Sequence, residues 1–318
     1  MAPKRVVSVS LGSSSRDHRF ETEILGQPII IERLGTDGDT ARARQLLEEL
    51  DGKVDALGLG GTDLYLHAGR RKYLIHETAR LVRNIRKTPF VDGGGLKASW
   101  ERWLIADYLP KQKGLSFRGR RVLLVSSVDR YGMAEAFTEV GAEVVFGDLI
   151  FALGVPIPMR SLTTVQILAA LLLPVLSRLP IKFLYPTGKK QEEITPKHGR
   201  HYAWAEVLAG DFHLIRRFMP EDLRGRIVLT QTITAADVEE LRRRGVWLLI
   251  TDGPDMGGRS FATNVLQGAI VAVLGRRPEE IAPEEYLQTA LRAGFVPRME
   301  VLNPQHAPAW GPRQPIPA

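Results

Sequence analysis

Cysteine is absent from the 318-residue chain. That one absence excludes a disulfide framework, Cys-ligated zinc, iron–sulfur clusters and thiol catalysis. Asparagine is scarce, occurring at Asn84, Asn264 and Asn303. Long apolar runs are missing too: the longest, Ile167–Leu176, is broken by Pro174 and is too short to cross a bilayer. The opening MAPKRVVSVSLGSSS has a brief apolar stretch followed at once by serine and glycine, which is not a signal-peptide pattern. A soluble, cytoplasmic protein without a membrane partner is expected. No H-E-x-x-H, Walker A, G-x-S-x-G or kinase signature occurs. Zinc proteolysis, P-loop nucleotide hydrolysis and α/β-hydrolase chemistry therefore drop out, and no metal site is expected.

What is present is an ordinary globular composition, 44% apolar and 25% charged, in a chain long enough for one large or two medium domains. The net charge is +7, and 32 of the 43 basic residues are arginine. Rich in arginine and poor in asparagine and cysteine, the chain has the composition of a thermophile or of a GC-rich genome. Its basic runs, Arg70–Lys72 and Arg242–Arg244, lack interleaved aromatics. They read as solvated faces rather than a nucleic-acid surface.

Hydrophobic spacing predicts an α/β protein. Val6–Ser10 is a strand, Arg19–Leu25 and Pro28–Arg33 form a hairpin about Gly26–Gln27, and Asp39 offers a cap to a helix over 40–50. Strands at Val54–Leu59 and Pro89–Val91 alternate with helices over 74–87 and 97–109, the second stopping before Pro110. Glycine-punctuated Lys111–Arg120 marks a domain boundary. Beyond it come six short apolar strands, Arg121–Ser126, Glu143–Phe146, Ile181–Tyr185, Glu206–Ala209, Arg226–Thr230 and Val246–Ile250, with helices over 131–141, 161–177 and 234–244. That is the arithmetic of a doubly wound parallel sheet. The expected architecture is a smaller mixed α/β domain (1–115), a Rossmann-like nucleotide-binding domain (116–255), C-terminal helices packing back (256–302) and a proline-rich tail (303–318) draped on a surface or disordered. Within 256–302, helices are read over 259–274 and 283–293. The polar stretch 186–204 reads as a long loop, of a length uncommon unless functional or mobile.

The motif with most chemistry in it is Val122–Gly132, then a helix, a strand and Asp148. Aligned with a dinucleotide fingerprint G-x-G-x-x-G, Gly132 takes the third glycine and Ser127 and Asp129 replace the first two. Asp148 then falls where an acid meets a ribose. Asp129 puts a carboxylate where a pyrophosphate approaches, so the nucleotide sits differently, the ligand is not a dinucleotide, or Asp129 points away. Other strand ends are polar: Thr187–Lys190, Gly210–His213, Thr230–Thr232 and Thr251–Gly253. Thr232 joins the candidate cofactor contacts. Asp211 can cap a helix or orient His213 as an acid–base group. In the front domain, Gly58–Asp63 and Asp92–Lys97 each follow an apolar strand, and Lys97 can pair with Asp63 or Asp92 to shuttle a proton. Ser13–His18 can hold an anion through its hydroxyls and Arg16.

The segments VVSVSLGSSSRDHR (6–19), ERLGTDGD (32–39), VDALGLGGTDLYL (54–66), VDRYGMAEAF (128–137), VVFGDLIFALGVPIP (144–158), YPTGKKQEEITPK (185–197) and AGDFHLIRRFMP (209–220) resemble a bacterial family labelled quinate 5-dehydrogenase. That family is distantly similar to shikimate dehydrogenases. The resemblance implies a two-domain oxidoreductase using NAD or NADP on a polyhydroxylated ring acid bound between the domains. Shikimate-type enzymes carry a catalytic Lys and then Asp ahead of the nucleotide domain; here Asp63 precedes Lys97. The expectation is a hydride-transferring enzyme, with Lys97, Asp63, Asp211 and His213 as the catalytic candidates read from the residues themselves. Ser127, Asp129, Gly132, Asp148 and Thr232 would be its cofactor contacts. A small-molecule substrate and a possible homodimer complete it. The alternatives are a non-redox enzyme or ligand-binding protein using the same sheet edge for a nucleotide or sugar phosphate, and a fold retained without catalysis.

Overall fold

The computed structural model describes residues 2–69, 71–181, 193–255, 260 and 262–311. The front part runs β1 (Lys4–Ser10), β2 (His18–Ile24), β3 (Gln27–Gly35), α1 (Thr40–Leu50), β4 (Ala56–Gly60), β5 (Tyr65–Ala68), β6 (Arg71–Leu74), α2 (His76–Val82) and β7 (Phe90–Val91). Its five-stranded sheet has the order β2-β3-β1-β4-β7, parallel except for β2. The β2–β3 hairpin turns through Leu25 and Gly26, both at positive φ, the geometry that suits the twist of two paired strands. Asp39 caps α1 by accepting the Arg42 amide at 2.9 Å. The small β5–β6 hairpin was not anticipated, though Leu66 and Ala68 alternate with polar partners before Gly69.

The next segment is one long helical rod: α3 (Gly94–Trp103), a π-helical turn (Leu104–Tyr108) and α4 (Leu109–Gln112). It starts earlier than the apolar spacing suggests and continues through Pro110. The wider turn ahead of Pro110 leaves the proline near the start of a new helical stretch, where its missing N–H costs little.

The second sheet is built from β8 (Arg121–Leu124), α5 (Tyr131–Glu139), β9 (Glu143–Phe146), α6 (Asp148–Phe151), α7 (Leu162–Leu176), α8 (Gly199–Trp204), β10 (Val207–Ala209), α9 (Phe212–Phe218), β11 (Ile227–Thr230), α10 (Ala235–Arg243) and β12 (Leu248–Thr251). Then follow α11 (Thr263–Leu274), α12 (Pro283–Arg292) and β13 (Arg298–Val301). Its order is β13-β12-β11-β10-β8-β9, parallel except for β13. Along β8, Val122 and Leu124 pack with Phe117 and Phe137 on one face, and Leu123 and Val125 with Phe212 and Ile215 on the other. A strand buried on both faces is the signature of a doubly wound sheet. The protein is a two-domain, Rossmann-like α/β fold.

Three expectations fare differently. The sixth strand is β13, an antiparallel edge of half-buried residues without an apolar run to announce it. The strand read at Ile181–Tyr185 lies, beyond Ile181, outside the described residues, as do Thr187–Lys190 and Arg259. The tail is draped on the second sheet as far as Gly311, with Trp310 edge-on to Trp247 at 6.3 Å between ring centroids.

Helix α11 crosses back to the first sheet, where Val265, Leu266, Ala269 and Ile270 pack against Val6, Ala56 and Val91. Its N-terminus and the C-terminal ends of both sheets border one cleft. No helix among the described residues is long and apolar enough to cross a membrane.

Candidate functional site

The cleft holds about 970 Å³ of empty space, part of it open to solvent. The first sheet supplies Ser8 and Ser10 from β1, Asp63 from the loop after β4, and Asp92 from the end of β7. The second supplies Asp129 after β8, Asp211 and His213 after β10, and Gln231 and Thr232 after β11. Ligands of open α/β sheets bind at this carboxyl edge, and the β8–β10 neighbourhood is where the strand order reverses.

At its floor, Lys97 on the first turn of α3 sits between two carboxylates. Its Nζ is 2.9 Å from Asp129 Oδ1 and 3.5 Å from Asp63 Oδ1. Burial works against charge on all three, but the cluster resolves it unequally. For Asp129, Lys97 and Arg130 outweigh burial and hold the carboxylate far below its usual range. For Asp63, burial and the negative charge of Asp129 outweigh Lys97 and push the carboxyl well up. Of the two, Asp63 is the one that favours the proton, in a hydrogen bond with Asp129. Lys97 is buried, yet Asp129 and Asp63 raise its pKa further, so it stays charged. Asp92, the other partner considered for Lys97, instead accepts the Leu64 and Gly94 amides at 2.8 and 2.9 Å, stapling a loop and the start of α3.

Behind the floor lies an ion-pair cluster that the sequence does not announce. Arg130, 2% exposed, donates to the fully buried Glu101 at 2.7 Å and lies 3.4 Å from Asp252 and 3.3 Å from Asp129. Burial pushes Asp252 up to about 7 against the pull of Arg130. The second oxygen of Glu101 accepts the Met133 amide at 3.1 Å, inside the first turn of α5. Glu101 follows Lys97 by four residues, a spacing that in sequence reads as an exposed helical ion pair.

This arrangement corrects the reading of the Ser127–Gly132 turn. Ser127 is fully buried and donates to Asp148, whose other oxygen accepts the Val128 amide at 2.9 Å. Asp148 therefore binds the chain itself rather than standing free for a ribose. The α5 N-terminus, where a diphosphate would accept hydrogen bonds, is already served by Glu101. Gly132 has a packing role: a Cβ there would lie 2.8 Å from Ala98 Cα, so only glycine lets α3 and α5 approach this closely. The residues of this turn do not fit a dinucleotide diphosphate. Gly132→Ala should cost about 1–3 kcal/mol in urea unfolding, because the clash is with backbone.

Asp211 and His213 do not form a dyad. Asp211 is the N-cap of α9, accepting the Leu214 amide at 3.1 Å, and its other oxygen faces Gln231 at 3.4 Å. Burial and then Asp129 raise its pKa. His213 faces the other way, among Arg16, Arg33, Arg216 and Asp237. Burial, reinforced by the arginines, lowers it to about 3, and its Nδ1 has no hydrogen-bond partner among the described residues. Between pH 6.5 and 3 the unfolded chain takes up a proton that the folded one refuses. Stability from this group is therefore intact above pH 6.5 and lost as pH falls. His213→Gln should remove about 2 kcal/mol of the wild-type stability loss between pH 7 and 5, read from urea midpoints.

The wall facing the acidic floor is cationic. Arg33 is buried on the inward face of β3, where it donates to Asp17 at 2.8 Å and Ser10 at 3.0 Å. Arg16 reaches across the cleft to the Thr232 carbonyl at 3.4 Å and Asp237 at 3.3 Å. Beside them the N-terminus of α11 has no side-chain cap. The Oγ1 of buried Thr263 there has no hydrogen-bond partner among the described residues. Sequence reasoning missed Arg33, although a lone arginine two residues after Ile31 on a buried strand face is a signal. It also missed Glu101, Arg130 and Thr263. No group of side chains able to hold a metal ion occurs among the described residues.

Two family profiles match the chain: "Domain of unknown function (DUF8754)" over residues 95–302, and "Domain of unknown function (DUF8753)" over residues 5–92. No curated protein matches. Among solved structures, a hetero-hexameric glutamate dehydrogenase from Thermus thermophilus is similar over 92% of this chain and 74% of its own, at 14% identity and a TM-score of 0.39. An L-tryptophan dehydrogenase from Nostoc punctiforme matches over 92% and 81%, at 10% identity and a TM-score of 0.37. A galactofuranose-binding protein matches over 92% and 99%, at 12% identity and a TM-score of 0.35. Likenesses this distant assign no chemistry to the cleft.

Proposed function

We propose, for a chain that belongs to the DUF8754 family, that the cleft is the active site of an enzyme transferring a proton at an oxygen of a small hydroxylated acid. The observation that carries this reading is Lys97 Nζ set 2.9 Å from Asp129 and 3.5 Å from Asp63 in the cleft floor, where the surroundings favour the proton on Asp63 and the charge on Asp129. Asp63 gives its proton to a substrate oxygen that is gaining negative charge. Lys97, within reach of the same oxygen, stabilises that charge and then the Asp63 carboxylate left behind. In the reverse direction Asp63 takes the proton from a hydroxyl. The opposite wall, Arg16, Arg33 and the α11 N-terminus, suits a carboxylate. Acid on one side and cation on the other would orient a hydroxy acid, and the ring acids implied by the family resemblance are of that class. Calorimetric titration with quinate, shikimate and a neutral sugar alcohol tests the reading. One of the acids should bind saturably, Arg33→Gln should weaken it at least tenfold, and the sugar alcohol should not bind. Preference for the neutral compound would sink the proposal.

An NAD- or NADP-linked oxidation of the same hydroxyl is the second reading. It is favoured by the cleft's place at the switch point of a doubly wound sheet, where nucleotides bind. It requires Glu101 and Asp148 to release the amides they hold. Saturable nicotinamide fluorescence on titration would support it, and no signal at millimolar cofactor would remove it.

A further inference from the structure

A second cavity adjoins the cleft and differs from it in kind. It holds about 880 Å³ of empty space, part of it open solvent, between α7 and the loops that follow β8, β9 and β10. Leu66, Val128, Leu149, Met159, Leu168 and Leu172 give it aliphatic walls. Polar groups gather in one place: Asp129 and Asp211 border both this cavity and the cleft, with Asp148 beside them. The two spaces therefore meet at the carboxylates next to Lys97.

An apolar cavity with a few convergent polar groups is the usual form of a small-molecule site. Water gains little along the aliphatic walls, because it needs several polar partners and only the end at Ser126, Asp129, Asp148 and Asp211 offers them. Carboxylates at its mouth disfavour an anionic head there and suit a hydroxyl that donates to them. The walls are almost wholly aliphatic, with no aromatic ring among them, and so suit an alkyl chain rather than a stacked planar ring.

We infer that this cavity receives an aliphatic portion of the ligand, so that the substrate is an amphiphile: hydroxylated where it meets Asp129 and Lys97, apolar beneath α7. Its polar end rests on the function proposed above; the tail site stands on its own walls. Each methylene buried there should tighten binding about fourfold until the cavity is full.

The test uses the full-length protein and the dye N-phenyl-1-naphthylamine, displaced by straight-chain alcohols of increasing length. One saturable dye site is expected, with displacement improving about fourfold per added carbon. Ala152→Trp places a large ring at an exposed position of the cavity lining and should weaken dye and alcohols at least tenfold. Leu171→Asp, on the outer face of α7 and 67% exposed, should leave both unchanged. Lys97→Met should also leave dye binding intact, so failure of the proposed catalysis and failure of this site are told apart. Three results would overturn the inference. The dye fails to bind; Leu171→Asp abolishes binding while Ala152→Trp does not, which moves the site to the outer helix face; or adenosine monophosphate displaces the dye while alcohols do not, which makes the cavity a nucleotide-base site.

Discussion

Lys97→Met should lower kcat for the hydroxy acid identified by titration by 10²–10⁴-fold, the usual worth of a positioned acid–base and electrostatic partner. The charge cannot be replaced from nearby. Arg130 is the next cation, but it is committed to Glu101, Asp252 and the far side of Asp129. Without Lys97, Asp63 and Asp129 still share a proton, so circular dichroism should report an unchanged fold while turnover collapses. Asp63→Asn should lower kcat by a similar factor and leave substrate affinity within a few-fold. Its pH profile carries the sharper information. Asp63 works as an acid only while protonated, and its pKa is raised. Wild-type activity should therefore decline as pH rises through that pKa, and Asp63→Asn should lack the declining limb. A Lys97→Met protein that turns over within threefold of wild type would leave the proposed chemistry without its centre.

For Arg130→Met the expected result is a loss of about 3–5 kcal/mol, measured by urea unfolding at neutral pH. The guanidinium is nearly inaccessible, and so is the carboxylate it binds. Two charges removed from water repay little when paired, but removing one leaves Glu101 buried against Asp252 and Asp129 with only Lys97, already held by Asp129 and Asp63, as a nearby cation. The double variant Arg130→Met with Glu101→Gln should be less destabilised than the sum of the single changes, since it removes the uncompensated charge. Additivity of the two would show that the pair acts independently. The cluster also explains why α3, the β8–α5 turn and the end of β12 keep one geometry: Glu101, Arg130 and Asp252 come from those three places. Lys97 and Asp129 are neighbours of that anchor, so their spacing is set by it.

Much of the scaffold is legible in the sequence because its signals are local. Val122–Val125 is a run too short and too apolar for anything but a strand covered on both faces. Ala43 and Leu47 repeat at helical spacing after Asp39, and Asp39 caps that helix. Strand ends rich in Asp, Thr and Gly predict where a doubly wound sheet keeps its ligand, and Asp63, Lys97, Asp129 and His213 all border the cleft. β13, half-buried along its whole length, gave no such signal, and the four-residue alternation of β5 is too short to announce a hairpin by itself. What the tertiary structure decided is pairing. Whether Lys97 meets Asp63, Asp92 or Asp129 depends on the crossing of α3 over the β8–α5 turn, a contact between residues some thirty apart in the chain. Whether Asp148 holds a ribose or a serine depends on atoms that local pattern cannot place. Charge state follows pairing, since burial and neighbouring charges together decide which of two like carboxyls keeps the proton. Residue types and backbone periodicity are properties of the chain; distances of three ångströms between side chains from different strands are properties of the fold.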